Sequence, residues 1–148
     1  MKTIVAALDF SDSTSAVLAS AVDQARAFKA ILHLLHVLEA EPAYTAYGFT
    51  PDEFPAIHTF QEEARKRAVA KLDELLATVP SDVEARTKLA DGSPLHAIIE
   101  YVAEHSADLV ILGTHGHGVV ASLLLGSVAE GLIRKAAVPT LVIPVKRS

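Results

Sequence analysis

At 148 residues the chain has the size of one ordinary domain, enough to bury a substantial core, and 51% of its residues are apolar, as in globular chains. The absence of cysteine excludes disulfides, thiolate chemistry and cysteine-ligated zinc, and suits a reducing cytoplasm. A net charge of −5 argues against a nucleic-acid partner, which needs a clustered basic face.

The first expected element is a strand at Ile4–Leu8, broken by Asp9 and too short for the core of an export signal. After the polar start Ser11-Asp12-Ser13, a helix follows with Leu18, Ala21, Val22, Ala25 and Phe28 on one stripe. Ile31–Val37 predicts a second strand. The stretch Glu39–Pro55, with its three prolines and Gly48, reads as a long loop. Ile57, Phe60, Ala64, Ala68, Leu72, Leu75, Leu76 and Val79 then form a second helical stripe. On its outer face Glu62 with Lys66, and Glu63 with Arg67, stand at ion-pairing spacing.

Val83–Leu89 alternates, with Glu84, Arg86 and Lys88 on one side, and predicts an edge strand with one wet face. Ser93-Pro94 opens a third helix, Leu109–Gly113 is a fourth strand, Gly126-Ser127 opens a fourth helix, and Thr140–Val145 is the last strand. Consecutive apolar positions in most strands mark a sheet covered on both faces. The alternation predicts an α/β fold, an open parallel five-stranded sheet with right-handed crossovers, in one domain over residues 1–148. The longest other apolar stretch, Val119–Leu125, falls far short of the roughly 20 residues of a membrane span. A cytoplasmic chain without a membrane span is expected.

In such sheets ligands sit beyond the carboxyl ends of the strands, where the strand order reverses. The first and fourth strands are expected to flank that point, with Asp9 at one end and Gly113-Thr114-His115-Gly116 at the other. The spacing Gly113-x2-Gly116-x9-Gly126-Ser127 puts two glycines where backbone can approach a ligand and a third at a helix N-terminus. That combination predicts a phosphate cradle. Ser127-Val128-Ala129-Glu130 also reads as a capping box, which would occupy the Ser127 hydroxyl within the protein.

With these motifs the sequence resembles the nucleotide-binding members of the universal stress protein family, over Ile4 to Val145. The resemblance rests on the glycine signature together with Leu8-Asp9-Phe10-Ser11, His36-Val37, Gly92-x-Pro94 and Leu123–Glu130. It implies a Rossmann-like sheet of order 3-2-1-4-5, a homodimer through the C-terminal strand, and ATP, ADP or AMP held between the first and fourth strand ends. By the same resemblance Asp9 and the Ala7 backbone hold the nucleoside, with the Val37 backbone near adenine. Gly113, His115 and Gly116 hold ribose and phosphate, and Gly126, Ser127 and Val128 hold the phosphate tail. Magnesium could accompany ATP through Asp9. Where relatives often carry arginine or lysine, this chain has His117 and Ser122, so Gly116 to Gly126 contains no permanent cation.

Other readings are weaker. Gly116-x-Gly118-x-x-Ala121 fits a dinucleotide fingerprint in form only, since Leu141 stands near where its acidic partner belongs. His115 and His117 lack a third metal ligand, and His33 and His36 fall on opposite faces of their strand. His58, His96 and His105 read as surface helix positions. The expectation is an adenine-nucleotide-binding stress-response or signalling protein rather than a dedicated enzyme. The alternatives are an interaction module of the same fold and, by family analogy, slow ATP hydrolysis or self-phosphorylation.

Overall fold

β1 (Thr3–Ala7) buries Ile4, Val5 and Ala6 completely, because it lies mid-sheet with helices over both faces. The computed structural model describes residues 1–39, 55–114 and 126–144. After β1 come α1 (Thr14–Phe28), β2 (Ile31–Leu38), α2 (Pro55–Ala77), β3 (Ala85–Asp91), α3 (Pro94–His105), β4 (Leu109–Gly113), α4 (Ser127–Lys135) and β5 (Thr140–Ile143). All four strand pairings are parallel and the order is β3-β2-β1-β4-β5, as expected. The order therefore reverses between β1 and β4.

The pleat divides the core in two. Ile4, Ala6, Leu32, Leu34 and Ile111 face one side, where Val17, Ala21 and Ala25 of α1 and Leu72 of α2 cover them. Val5, Leu35, Val110 and Leu112 face the other, against Ile98, Tyr101 and Val102 of α3 and Ala129 and Leu132 of α4. Gly131 lets the last two helices meet, since a Cβ there would stand 2.5 Å from a Leu95 methyl.

Four details differ from expectation, each for a local reason. β3 begins at Ala85, not Val83, because Val83 closes a turn onto the Pro80 carbonyl (3.0 Å) and plugs the core below the strand. Phe28 is 46% exposed at the last position of α1. On α2, Phe60 is exposed as well, so the buried stripe starts lower, at Ala68 and Leu72. Its side-chain contacts also differ: Glu62 meets His58, and Arg65 reaches across to Asp91 at the end of β3. The expected loop at Glu39–Pro55 lies almost wholly outside the described residues, except that Pro55 already begins α2.

Candidate functional site: the crevice between β1 and β4

Beyond Ala7 the chain makes one more ladder bond, Leu8 N–H to the Leu35 carbonyl at 2.8 Å, and then turns. Phe10 makes the turn with φ of 61°, a left-handed conformation that a bulky side chain rarely adopts. Asp9 Oδ1 accepts from the Ser11 amide (2.9 Å) and the Ser11 hydroxyl (2.6 Å). With its one proton given to Asp9, the Ser11 hydroxyl accepts from that of Ser13 at 2.8 Å. Ser13 stands at the start of α1 but does not cap it through its side chain. Both bonds to Asp9 fall on Oδ1. Among the described residues Oδ2 has no partner, so the carboxylate braces the turn through Oδ1 alone.

Ser13 leads directly to the other side of the crevice. A Cβ at Gly113, the last residue of β4, would stand 2.8 Å from Ser13 Oγ and 3.1 Å from Ser13 Cβ. A side chain there would press on Ser13 where α1 meets the sheet, a packing role that the glycine spacing alone did not reveal. Thr114 N–H donates to the Ile143 carbonyl at 3.0 Å, and Gly126 N–H donates to the Thr114 carbonyl at 2.6 Å. The start of α4 is thereby pinned against the end of β4. Asp9, Ser11, Ser13, Gly113, Thr114 and Gly126 thus form a run of neighbours, Ser13 facing Gly113 across the gap that a Cβ would fill.

The capping box expected at Ser127 is not formed. Gly126 is the N-cap, with φ −63° and ψ 154°, and Ser127 is already the first helical residue. Glu130, a residue too far along to close the box, pairs with Arg134 at 2.8 Å. The Ser127 hydroxyl is exposed and makes no hydrogen bond among the described residues. The amides of Ser127 and Val128 belong to the first turn, where no helical carbonyl is available to them. Gly126 has spent its own amide on Thr114, so the donors at this helix end are those of Ser127 and Val128. His115 and Gly116 lie outside the described residues, and so do His117 and Ser122.

Val37 completes the crevice from β2. Its side chain packs into the α3–α4 side of the core, as does that of Ala7. The ladder gives the direction of its backbone. Leu35 C=O faces β1, while Leu32 N–H and Leu38 C=O face β3, so Val37 N–H and C=O face β1 just past its end. Serine at 11 could have been read from the Asp-x-Ser spacing, which favours a side-chain turn. Neither the strained Phe10 nor its neighbour His36 left such a signal.

Among the described residues there is no group of three or more histidines and carboxylates fit to hold a metal. A groove of about 750 Å³ runs between α1 and α2, from Phe10 and Ser11 to Lys71 and Pro80, on the opposite side of the sheet from the Val37 side chain.

Residues 1–144 match the universal stress protein family. The universal stress protein A homolog 1 of Coxiella burnetii is 34% identical over 146 residues, spanning 98% of this chain and 97% of that one. The chain belongs to the universal stress protein family. As a universal stress protein it shares its fold with a family member from Archaeoglobus fulgidus solved in complex with dAMP, at 23% identity and a TM-score of 0.62 over 97% of each chain. A universal stress protein solved in complex with cAMP matches it at 24% identity and a TM-score of 0.61, over 97% of this chain and 96% of that one. Among the described residues no helix is long and apolar enough to cross a membrane.

Proposed function

We propose that this universal stress protein binds an adenine nucleotide in the crevice between β1 and β4 and acts in stress response or signalling. The observation that supports the reading is the run of neighbours from Asp9 through Ser11, Ser13, Gly113 and Thr114 to Gly126, with a carboxylate at one end and a helix N-terminus at the other. A carboxylate accepts from ribose hydroxyls, while free amides and the positive end of a helix dipole suit phosphate. Relatives of the same fold were solved with dAMP and cAMP, which supports adenine mononucleotides as the ligand class.

In this reading Asp9 and the Ala7 backbone hold the nucleoside, and the outward amide and carbonyl of Val37 meet the adenine edge. Gly113, His115 and Gly116 border ribose and phosphate. At the phosphate tail the Ser127 hydroxyl and the Ser127 and Val128 amides donate, with Gly126 serving as the hinge that aims them. Magnesium would arrive with ATP on its phosphates, and Asp9, engaged at the nucleoside end, is not its ligand in this reading. Mass spectrometry of small molecules released from freshly purified protein tests the proposal. AMP, ADP or ATP at near-stoichiometric amount is the expected result. Nucleotide-free protein that also fails to bind all three by calorimetry overturns it.

The dimer belongs to the same proposal. β5 is an edge strand whose Leu141 and Ile143 pack on one core layer and Val142 on the other. The carbonyls of Pro139 and Ile143 accept from β4, so by alternation the amide and carbonyl of Val142 point outward, available to a second copy.

A further inference from the structure

We infer that His36 is a positioning residue that keeps the adenine end of the crevice open, an inference that rests on the reading of Val37 and Asp9 given above. In the parallel ladder each β1 residue facing β2 donates to one β2 carbonyl and accepts from the amide two residues later. Leu8 donates to the Leu35 carbonyl at 2.8 Å, so its own carbonyl should accept from the Val37 amide. That rung is missing. The Leu8 carbonyl accepts instead from His36 Nδ1, at 2.6 Å. Because a carbonyl only accepts, Nδ1 carries the proton in this contact.

The same imidazole stacks on Phe10, with ring centroids 3.9 Å apart and planes at 23°. Phe10 is the residue held at φ 61°, and its ring is partly buried against the α1–α2 side of the core. His36 therefore grips the chain on both sides of Asp9, at the Leu8 carbonyl and at the Phe10 ring. Two consequences follow. The Val37 amide, deprived of its ladder acceptor, stays directed into the crevice as a donor beside its own carbonyl. Asp9, held between two fixed neighbours and braced by Ser11, presents its carboxylate at one place. A donor and an acceptor on one residue match the edge of adenine, whose ring nitrogen accepts and whose amino group donates.

The first measurement needs no variant. In nucleotide-free protein the Val37 amide is expected to exchange rapidly while that of Leu35 is protected, and no through-hydrogen-bond coupling should join Val37 nitrogen to the Leu8 carbonyl carbon. Next, His36→Phe keeps a ring for Phe10 to stack on but removes the donor. The Leu8–Val37 rung should then form, with its coupling visible, and adenosine affinity should fall about tenfold, a change of about 1.4 kcal/mol. His36→Asn restores a donor near the Nδ1 position and should recover most of that loss. A protected Val37 coupled to Leu8 in the wild-type protein overturns the inference, as does a folded His36→Phe that keeps Val37 open and adenosine affinity unchanged. If wild-type protein shows the open Val37 amide but binds no adenosine, the functional reading fails and the positioning of Val37 by His36 stands.

Discussion

Asp9 has two tasks that substitution can separate. Its Oδ1 braces the turn through Ser11, and its free Oδ2 faces the ligand in the proposed site. Asp9→Ala should therefore lower stability by about 1 kcal/mol, the ordinary worth of such hydrogen bonds. It should also weaken adenosine and AMP about as much as ATP. Urea denaturation and calorimetry read the two effects independently. A loss confined to ATP with magnesium would make Asp9 a metal ligand and remove it from the nucleoside end. At this scale the sequence was legible in part. Asp9, Gly113 and Gly126 stood out by type and spacing, whereas His36 entered only as part of the resemblance and with no role, because its work depends on which carbonyl the turn at Phe10 leaves within reach. Ser127 misled in the opposite way: its spacing to Glu130 fits a cap, yet the helix starts one residue earlier than that cap requires.

Among the elements, helix ends show where local chemistry was outvoted by packing. α1, α3 and α4 all terminate on left-handed residues other than glycine: Lys29, Ser106 and Ala136, with φ between 47° and 53°. Ala30 and Ala107 each close the motif by donating back to the helix, at 2.9 and 3.0 Å. A side chain in this conformation costs roughly 1–2 kcal/mol, against about 0.4–1 kcal/mol of unfolded-chain entropy that glycine would add. Lys29→Gly should therefore stabilise the protein by up to about 1 kcal/mol, seen as a higher urea midpoint; a lower midpoint would contradict the assignment. Boundaries such as that of β3 were hard to read for a related reason. Val83 shares the face and period of Ala85, Thr87 and Leu89, so only the turn onto Pro80 tells a plug from a strand residue.

The packing of β2 on α3 carries a pH dependence. His33 is buried at 6% exposure, with Nδ1 2.6 Å from the Tyr101 hydroxyl, and His105 lies edge-on to its ring. Burial, first, and then His105 and Arg86 hold its pKa below the ordinary value. Glu104 and Arg86 are the other charges that bear on this cluster, through Tyr101. The unfolded chain takes up a proton near pH 6.5 that folded His33 refuses, so its contribution is complete above that pH. It is lost as pH falls from there through the lower folded value, by at most about 1.4 kcal/mol per unit for one proton. Stability curves from pH 7.5 to 5 should be less steep for His33→Gln than for the wild type. Parallel curves would show that His33 protonates freely in the fold.

On the scale of the whole molecule, the fold was the most legible property of the chain. Strands covered on both faces read as continuous apolar runs, and their alternation with helices leaves little choice but a parallel sheet with crossovers. The proposed partner surface is less visible, since Val142 looks like any core residue until the ladder shows that its amide points outward. Val142→Pro removes that donor without touching a bond to β4. Light scattering should give twice the chain mass of 15.7 kDa for the wild type and a single mass for the variant. A wild-type monomer would end the proposal for β5.

The central claim is that one crevice, between β1 and β4, receives the nucleotide. Titration of AMP into isotopically labelled protein, followed by backbone amide shifts, addresses it directly. Saturable shifts are expected to concentrate at Asp9, Phe10, Ser11, Val37, Gly113, Ser127 and Val128, with α2 and the far end of the groove, at Lys71, Leu75 and Thr78, left unmoved. Shifts centred on that far end, or none that saturate, would contradict the account.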